Sequence, residues 1–173
     1  MNDNANINTT TRPCLAFYHA NAKGTGCAIK MELHPACGIS EGFIGMTLAN
    51  QITVGNRVGP NPTCPRFDWE NKGVVKLCFD DLCKMLQVFR GECESINDGK
   101  GLWHRTAQGN TRISLNHHIE PVHGYSIEVC LCPVDGGEER RWNFFASCTE
   151  ALGLCEAFAG SMYLVAFGIP HVG

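Results

Sequence analysis

The sequence predicts an α+β fold of two tandem four-strand-plus-helix repeats, ββββα, whose antiparallel sheets pack on the helices. Both halves of the 173-residue chain contain short segments in which apolar and polar residues alternate, as in half-buried strands. A helical pattern closes each half, and a glycine-rich turn separates two strands in the second half. These observations predict a disordered tail at residues 1–13 and one domain over residues 14–173, with pseudo-repeats at about 14–92 and 100–168.

The first half contains four predicted strands. The second of them alternates most clearly, because Ile29 and Met31 point to one face while Lys30 and Glu32 point to the other. Three prolines and two glycines make residues 54–65 a loop. The predicted strands span residues 15–20, 27–33, 42–51 and 74–79.

An amphipathic helix follows the fourth strand. Asp80 is the predicted N-cap, and Asp81 adds negative charge to the first turn, where the helix dipole favours it. Arg90 and Gly91 end the helix. The apolar stripe that packs on the sheet has the spacing i, i+3, i+4, i+7 and consists of Leu82, Met85, Leu86 and Phe89.

The second half repeats this order. Strands at 125–131 and 140–145 are expected to pair across a hairpin turn at 133–137. Ser147 and Glu150 have the spacing of a capping box, which starts a helix that runs to residue 166 or 167. The other two predicted strands span residues 101–105 and 112–119.

The second helix is apolar on nearly every side. Glu156 is the only charged residue between positions 151 and 169, so one sheet cannot cover all of the apolar surface. A subunit interface is therefore predicted, and the chain is expected to form a homo-oligomer. A membrane span, which needs about 20 apolar residues, is disfavoured by Glu156, Gly160 and Ser161, and no membrane contact is expected.

Composition limits the functions that the chain can perform. Only 18% of the residues are charged, the formal net charge is -3 and the pI is near 6.1. The low charged fraction favours self-association. Because the net charge gives no general attraction to phosphate, nucleic-acid binding would depend on local clusters of cations.

Eleven cysteines are the other unusual feature of the composition. The first eleven residues are polar and lack the apolar run of a signal peptide, so a reducing, cytoplasmic location is expected. There is no C-x-x-C motif, and Cys130 and Cys132 would share one face of a strand. Most of the cysteines are therefore expected to be small buried hydrophobic residues, and neither a metal nor another cofactor is predicted.

Three stretches of the chain carry a family resemblance through their order and spacing. They are residues 23–29 (KGTGCAI), residues 67–72 (FDWENK) and the strand-helix run at 74–86. Over roughly residues 15–168 the chain resembles the Whirly family of single-stranded DNA-binding proteins. Where that family has Tyr-Asp-Trp this chain has Phe67 first, and the second lysine of the family's Lys-Gly-Lys segment is absent.

The resemblance implies two ββββα repeats, assembled as a homotetramer around the helices, with single-stranded DNA as the ligand. Related trypanosome mitochondrial guide-RNA-binding proteins share that architecture, so RNA is an alternative ligand. The chain begins without an Arg/Ser-rich transit peptide, so a bacterial or phage relative is expected. The positions that match the family's motifs are Lys23, Phe67, Trp69 and Lys72.

Binding that tolerates many sequences needs aromatic faces for base stacking and cations for phosphates. The predicted strands carry cations close to aromatic residues, whereas acidic residues concentrate in helix starts and turns. In the first half the nearby rings include Tyr18 and Phe43, of which Phe43 is expected to pack inward. The candidate nucleic-acid-binding residues are Lys23, Lys30, Phe67, Trp69, Lys72, Lys76, Trp103, Arg105 and Arg112.

The predicted function is non-catalytic binding of single-stranded DNA with weak sequence preference, in replication, repair, recombination or mobile-element biology. No Gly-rich phosphate loop, nucleophile elbow or H-E-x-x-H motif indicates an enzyme. Three alternatives stay open at this point. One is an RNA-binding protein of the same fold, and another is an oligomeric protein-interaction scaffold, which the negative net charge favours. The third is a metal-dependent enzyme.

Overall fold

The computed structural model describes residues 13–170 except residues 57, 59 and 108, so the predicted tail lies outside the described residues apart from Pro13. Within this part of the chain, nine strands and two α-helices form the predicted α+β arrangement of two sheets with helices. The strands are β1 (Cys14–His19), β2 (Cys27–His34), β3 (Phe43–Thr53), β4 (Arg66–Phe67), β5 (Gly73–Leu77), β6 (Leu102–Thr106), β7 (Gly109–His118), β8 (Gly124–Pro133) and β9 (Arg140–Ser147), and the helices are α1 (Phe79–Phe89) and α2 (Cys148–Phe167).

The first sheet is antiparallel, with β2 between β1 and β3. The β3 strand pairs with β5 along residues 44–48, and further along with the two-residue strand β4, at Gln51 and Thr53. The sequence did not predict β4, because two residues are too short to show the alternation by which strands are recognised. This short strand nevertheless fixes where the segment that follows it lies on the sheet.

The second sheet has the order β6-β7-β8-β9 and is antiparallel throughout. The predicted hairpin is confirmed, because β8 pairs with β9 up to Leu131 and Arg140 on either side of the turn. Gly136 adopts a φ of 74° in that turn, a conformation that glycine reaches without strain. The two halves of the chain therefore form the two predicted ββββ units, each followed by a helix, and the first unit has the short strand β4 in addition.

The start of α1 differs from the prediction. The β5 strand ends at Leu77 and Phe79 is already helical, so the N-cap is Cys78 rather than Asp80. The carboxylate of Asp81 accepts a hydrogen bond from the backbone N–H of Cys78 at 3.0 Å, which satisfies a donor that the helix leaves unpaired. The predicted apolar stripe is buried, and Gly91 follows the helix with a φ of 73°.

The second helix begins as predicted. The Ser147 hydroxyl accepts a hydrogen bond from the Glu150 backbone N–H at 3.3 Å, and the Glu150 carboxylate accepts one from the Ser147 N–H at 2.9 Å. One face of α2 packs on the core, while Leu152, Tyr163 and Phe167 are exposed. By length and composition α2 is apolar enough to cross a membrane. Only 28% of its most apolar 18-residue stretch is buried within the chain.

A single hydrophobic core joins the two repeats. The Phe89 ring of α1 contacts Tyr125 of the second sheet at 5.4 Å and Phe158 of α2 at 6.0 Å between ring centroids. Gly73 of β5 lies against Trp142 of β9, where a Cβ atom would come within 2.7 Å of the indole ring. Side chains from both repeats thus pack into one continuous core.

The prediction that most cysteines are buried is wrong. All eleven are free thiols, but only Cys27, Cys130 and Cys155 are buried, whereas five are exposed. The exposed ones lie at strand ends, in loops and at helix starts, for example Cys64 before β4 and Cys148 at the start of α2. These positions carry no periodic pattern, so composition alone could not assign their burial.

Candidate nucleic-acid interface

The first sheet has one face in the core and one outer face. On the core side, Ile29 pairs in register with Leu48, and both are fully buried. On the outer side, Lys30 pairs with Thr47, which in turn pairs with the exposed Val74. Because strand side chains alternate between faces, Lys30 and Lys76 lie on the same outer face, as the sequence predicts.

Three aromatic residues on this outer face form an aromatic cluster: Tyr18, Phe67 and Trp69. The Tyr18 ring lies 5.8 Å from Phe67 and 6.3 Å from Trp69 between centroids, at 60° and 74° between the ring planes. The Lys30 ammonium lies 5.1 Å from the centre of the Trp69 ring. Tyr18 is 55% exposed, so the cluster presents ring surface to solvent beside a cation.

A cleft of about 540 Å³ runs along the aromatic cluster and is also lined by Ala20, Pro65 and Arg66. Arg66 was not among the predicted site residues, although it directly precedes Phe67 in the sequence. It stands on β4, the short strand that sequence periodicity could not reveal. The cleft therefore brings Arg66 beside the rings of the aromatic cluster.

The segment after β4 is held by its own hydrogen bonds. The backbone N–H of Asp68 donates to the carbonyl of Asn50 at 2.8 Å, which ties the segment to β3. The Asp68 carboxylate accepts hydrogen bonds from the side chain and backbone of Asn71, and these bonds lower the pKa of Asp68. Asp68 and Asn71 thus shape the turn that places Trp69 beside Tyr18.

A second contact between a cation and a ring lies on the same face of the sheet. The Lys76 ammonium stands 4.8 Å from the centre of the Phe43 ring, and His34 stacks on that ring at 4.2 Å between centroids. The expectation that Phe43 packs inward is wrong. Its partner in the pairing of β2 and β3 is His34, and both point to the outer face with Lys30.

Lys23 lies in the exposed turn between β1 and β2. The Asn21 side chain accepts hydrogen bonds from the backbone N–H groups of Lys23 and Thr25, which orders the turn. At Gly26 a Cβ atom would approach the His19 carbonyl to 2.0 Å, so only glycine fits there. Gly26 is therefore required by the geometry of this chain's own strands.

Lys72 lies at the junction of the two sheets. It lines a groove of about 350 Å³ together with Thr106, Arg140 and Trp142 of the second sheet. The Arg140 guanidinium lies 5.7 Å from the centre of the Trp142 ring. The structure thus places Lys72 beside an arginine of the other repeat.

The predicted residues of the second sheet share its outer face. Trp103 pairs in register with Arg112, and Arg105 follows two positions later on β6. Trp103 is 62% exposed, and its indole N–H donates to the carbonyl of Lys100 at 3.1 Å. Arg112 forms an ion pair with Glu128 at 3.4 Å, so its charge is already partly neutralised.

His104 alternates with Trp103 and Arg105 and therefore points to the inner face, where it meets α1. Its Nε2 atom lies 3.0 Å from the Asp81 carboxylate, and this hydrogen bond raises the pKa of His104 against the opposing effect of burial. Burial acts to raise the pKa of Asp81, but hydrogen bonds from His104 and the Cys78 backbone lower it overall. This pair links the second sheet to the first helix.

Solved structures with the same arrangement of sheets and helices identify the fold. WHY3 from Arabidopsis thaliana matches 88% of this chain and 89% of its own, with a TM-score of 0.67 and 15% identity. The chain has the Whirly fold. The plant transcriptional regulator PBF-2 matches 88% of this chain and 89% of its own, with a TM-score of 0.64 and 14% identity.

A guide-RNA-binding protein complex, solved with its guide RNA, also has the Whirly fold. It matches 91% of this chain and 95% of its own, with a TM-score of 0.61 and 14% identity. No protein-family model matches the chain, and no curated protein sequence does. At these identities the comparisons establish the fold, and the function has to be argued from the residues.

Proposed function

We propose that this chain is a non-catalytic protein that binds single-stranded DNA with weak sequence preference, through the outer face of its first sheet. The observation that carries the proposal is the aromatic cluster, in which Tyr18 is exposed and Phe67 and Trp69 are half-buried, with Lys30 over the Trp69 ring. Stacking on such rings is worth about 1–3 kcal/mol per base and tolerates every base, because all four present a π-face. The bases of the bound DNA would stack on the aromatic cluster while Lys30 and Arg66 approach its phosphates.

The charge of the outer face supports this ligand more than the net charge of -3 would suggest. Lys30 and Lys76 contact aromatic rings, and no ion pair of either lysine is found among the described residues. A lysine over a ring keeps its full charge for a phosphate, since no carboxylate has to be displaced. The local density of cations therefore favours binding of nucleic acid despite the negative net charge of the chain.

RNA is the second candidate ligand. One protein with the same fold is described as a guide-RNA-binding complex bound to its RNA. Stacking and phosphate contacts serve either polymer, whereas only contacts to the 2′-hydroxyl would distinguish RNA. Competition between DNA and RNA of the same sequence separates the two candidates directly.

Self-association through α2 completes the proposal. The exposed side of α2 carries Leu152, Tyr163 and Phe167, which is an apolar surface that water covers in the isolated chain. Burying it between copies would gain about 25 cal/mol per Å² of apolar area. We propose a cytoplasmic homotetramer, in which these helices meet, and sedimentation equilibrium of the purified protein tests that assembly.

Fluorescence anisotropy of a labelled oligonucleotide of about 30 nucleotides, titrated at low and at physiological salt, tests the function. Duplex DNA and RNA of the same sequence serve as competitors. We expect salt-sensitive binding that duplex DNA does not displace. The Lys30→Gln variant should bind more weakly, whereas the matched control Lys84→Gln, whose lysine pairs with Asp80 on α1, should bind as the unmodified protein does.

Two results would contradict the proposal. Absence of binding at low salt would exclude nucleic acid and favour the protein-interaction scaffold. Equal weakening by Lys30→Gln and Lys84→Gln would mean that the outer face of the first sheet is not the binding surface.

A further inference from the structure

Two cysteines and a glutamate converge on the outer face of the second sheet, at the end of β8 and the hairpin that follows it. Cys130 and Cys132 are two residues apart in the strand and so point to the same side. Glu139 precedes β9 and lies opposite Cys132 across the hairpin, since the neighbouring Arg140 pairs with Leu131. The ligand atoms of these three residues all lie within 4.8 Å of one another.

Two of the three distances between these atoms match those of a tetrahedral zinc site. The two Sγ atoms are 3.9 Å apart, and the Cys132 Sγ atom lies 3.5 Å from Oε2 of Glu139. With Zn–S bonds of 2.3 Å and Zn–O bonds of 2.0–2.2 Å, a tetrahedral ion requires about 3.8 Å between sulfurs and about 3.6 Å between sulfur and oxygen. Little movement of the side chains would be needed to hold the ion.

The surroundings of the three side chains also suit a metal. Arg141 contacts Oε1 of Glu139, so the other oxygen of that carboxylate is turned toward the thiols. Residues behind the ligands commonly orient them in this way in metal sites. A divalent cation bound here would be held by two thiolates and one carboxylate, which are donor types that Zn²⁺ takes in proteins.

We infer that Cys130, Cys132 and Glu139 form a binding site for a thiophilic divalent cation of the Zn²⁺ class. Both thiols release their protons to solvent as they coordinate, and a water molecule takes the fourth position, which faces the exposed side of the hairpin. The site goes beyond the proposed function, because neither the aromatic cluster nor a nucleic acid takes part in it. It also departs from the expectation, drawn from sequence spacing, that the chain holds no metal.

Titration of the full chain with Co²⁺ under a non-thiol reductant tests the site, since Co²⁺ substitutes for Zn²⁺ and reports its ligands by absorption. We expect one equivalent to bind with thiolate-to-cobalt charge-transfer absorption and the visible bands of tetrahedral coordination. Adding Zn²⁺ should displace Co²⁺ and abolish both signals. Competition with a chromophoric chelator then gives the affinity for Zn²⁺.

Because the chain has eleven cysteines, the variants are matched in the number of thiols they remove. Cys130→Ser with Cys132→Ser should lower the Zn²⁺ affinity at least tenfold and eliminate the charge-transfer absorption. Cys14→Ser with Cys64→Ser, at two exposed positions, should leave both unchanged. Glu139→Gln should retain the sulfur absorption but weaken binding, and far-ultraviolet circular dichroism checks that each variant is folded.

The inference is overturned if both double variants bind Co²⁺ equally, because binding would then be a general property of the thiols. It is also overturned if the reduced protein binds neither ion, or if a tetrahedral signal survives the loss of Cys130 and Cys132. None of these outcomes depends on nucleic acid, so failure of the proposed function would leave the metal result intact.

Discussion

On the first sheet, Lys30 and Lys76 lie over aromatic rings, whereas on the second sheet Arg112 contacts the carboxylate of Glu128. The two sheets belong to successive copies of the same ββββ unit and share one core. Their outer faces nevertheless present different chemistry to solvent. A repeated fold therefore does not repeat a site, since outer-face residues are free to vary while the core fixes the backbone.

The largest expected effect comes from removing two rings of the aromatic cluster. Tyr18→Ala with Trp69→Ala should weaken binding to single-stranded DNA by on the order of 100-fold, because each lost stacking contact is worth about 1–3 kcal/mol. Trp103→Ala, on the second sheet, should cost less than about fivefold, because a loss below about 1 kcal/mol means that no base stacks on its ring. Anisotropy titrations of both variants make the measurement, and equal losses would show that the two faces do not differ.

The second prediction concerns the salt dependence of binding. Lys30→Gln with Lys76→Gln should reduce the slope of log affinity against log salt by about 1.4, since each lost phosphate contact on a single strand changes it by about 0.7. Arg105→Gln with Arg112→Gln should reduce it less, because Arg112 is already paired with an acid. Titrations at four salt concentrations give the slopes. A larger change for the arginine pair would reverse the assignment of the main binding face.

A third change tests the difference between the faces by reducing it. Glu128→Gln releases Arg112 from its ion pair and should strengthen binding by about threefold, the scale of an exposed ion pair. The gain should disappear at high salt, where phosphate attraction is screened. Anisotropy at low and high salt is the measurement. Weaker binding by this variant would mean that Glu128 positions Arg112 for contact instead of neutralising it.

The last prediction concerns stability rather than binding, at the pair that joins the repeats, His104 and Asp81. The contribution of His104 to stability is complete below the unfolded pKa of histidine, about 6.5, and is lost as pH rises through its raised folded pKa. The contribution of Asp81 is complete above the unfolded pKa of aspartate, about 3.9, and is lost as pH falls through its lowered folded pKa. Both are therefore present between about pH 4 and 6.5.

His104→Gln should accordingly lower the free energy of unfolding by about 1–2 kcal/mol near pH 5.5 and by less near pH 9, as expected for a partly buried charged hydrogen bond. Urea unfolding at the two pH values gives both numbers. An equal loss at both values would show that His104 contributes through packing rather than through its charge.

Local patterns in the sequence predicted much of the fold and of the candidate site. The alternation around Lys30 placed it on the outer face, and the Ser147–Glu150 capping box fixed the start of α2 within one residue. These features depend on neighbours in the chain, so a single sequence contains them. The inward packing assigned to Phe43 was wrong because both faces of β3 carry apolar residues, and only pairing with His34 decides between them.

The sequence by itself determined the order of strands and helices, the hairpin at β8 and β9, and the apolar character of α2, because periodicity, turns and caps are local. The tertiary structure decided which distant residues meet. Tyr18 and Trp69 are far apart in the sequence, and Glu139 reaches Cys132 only because the hairpin register brings them together. Both candidate sites arise from strand pairing, which depends on packing the whole chain around one core and cannot be read from any single segment.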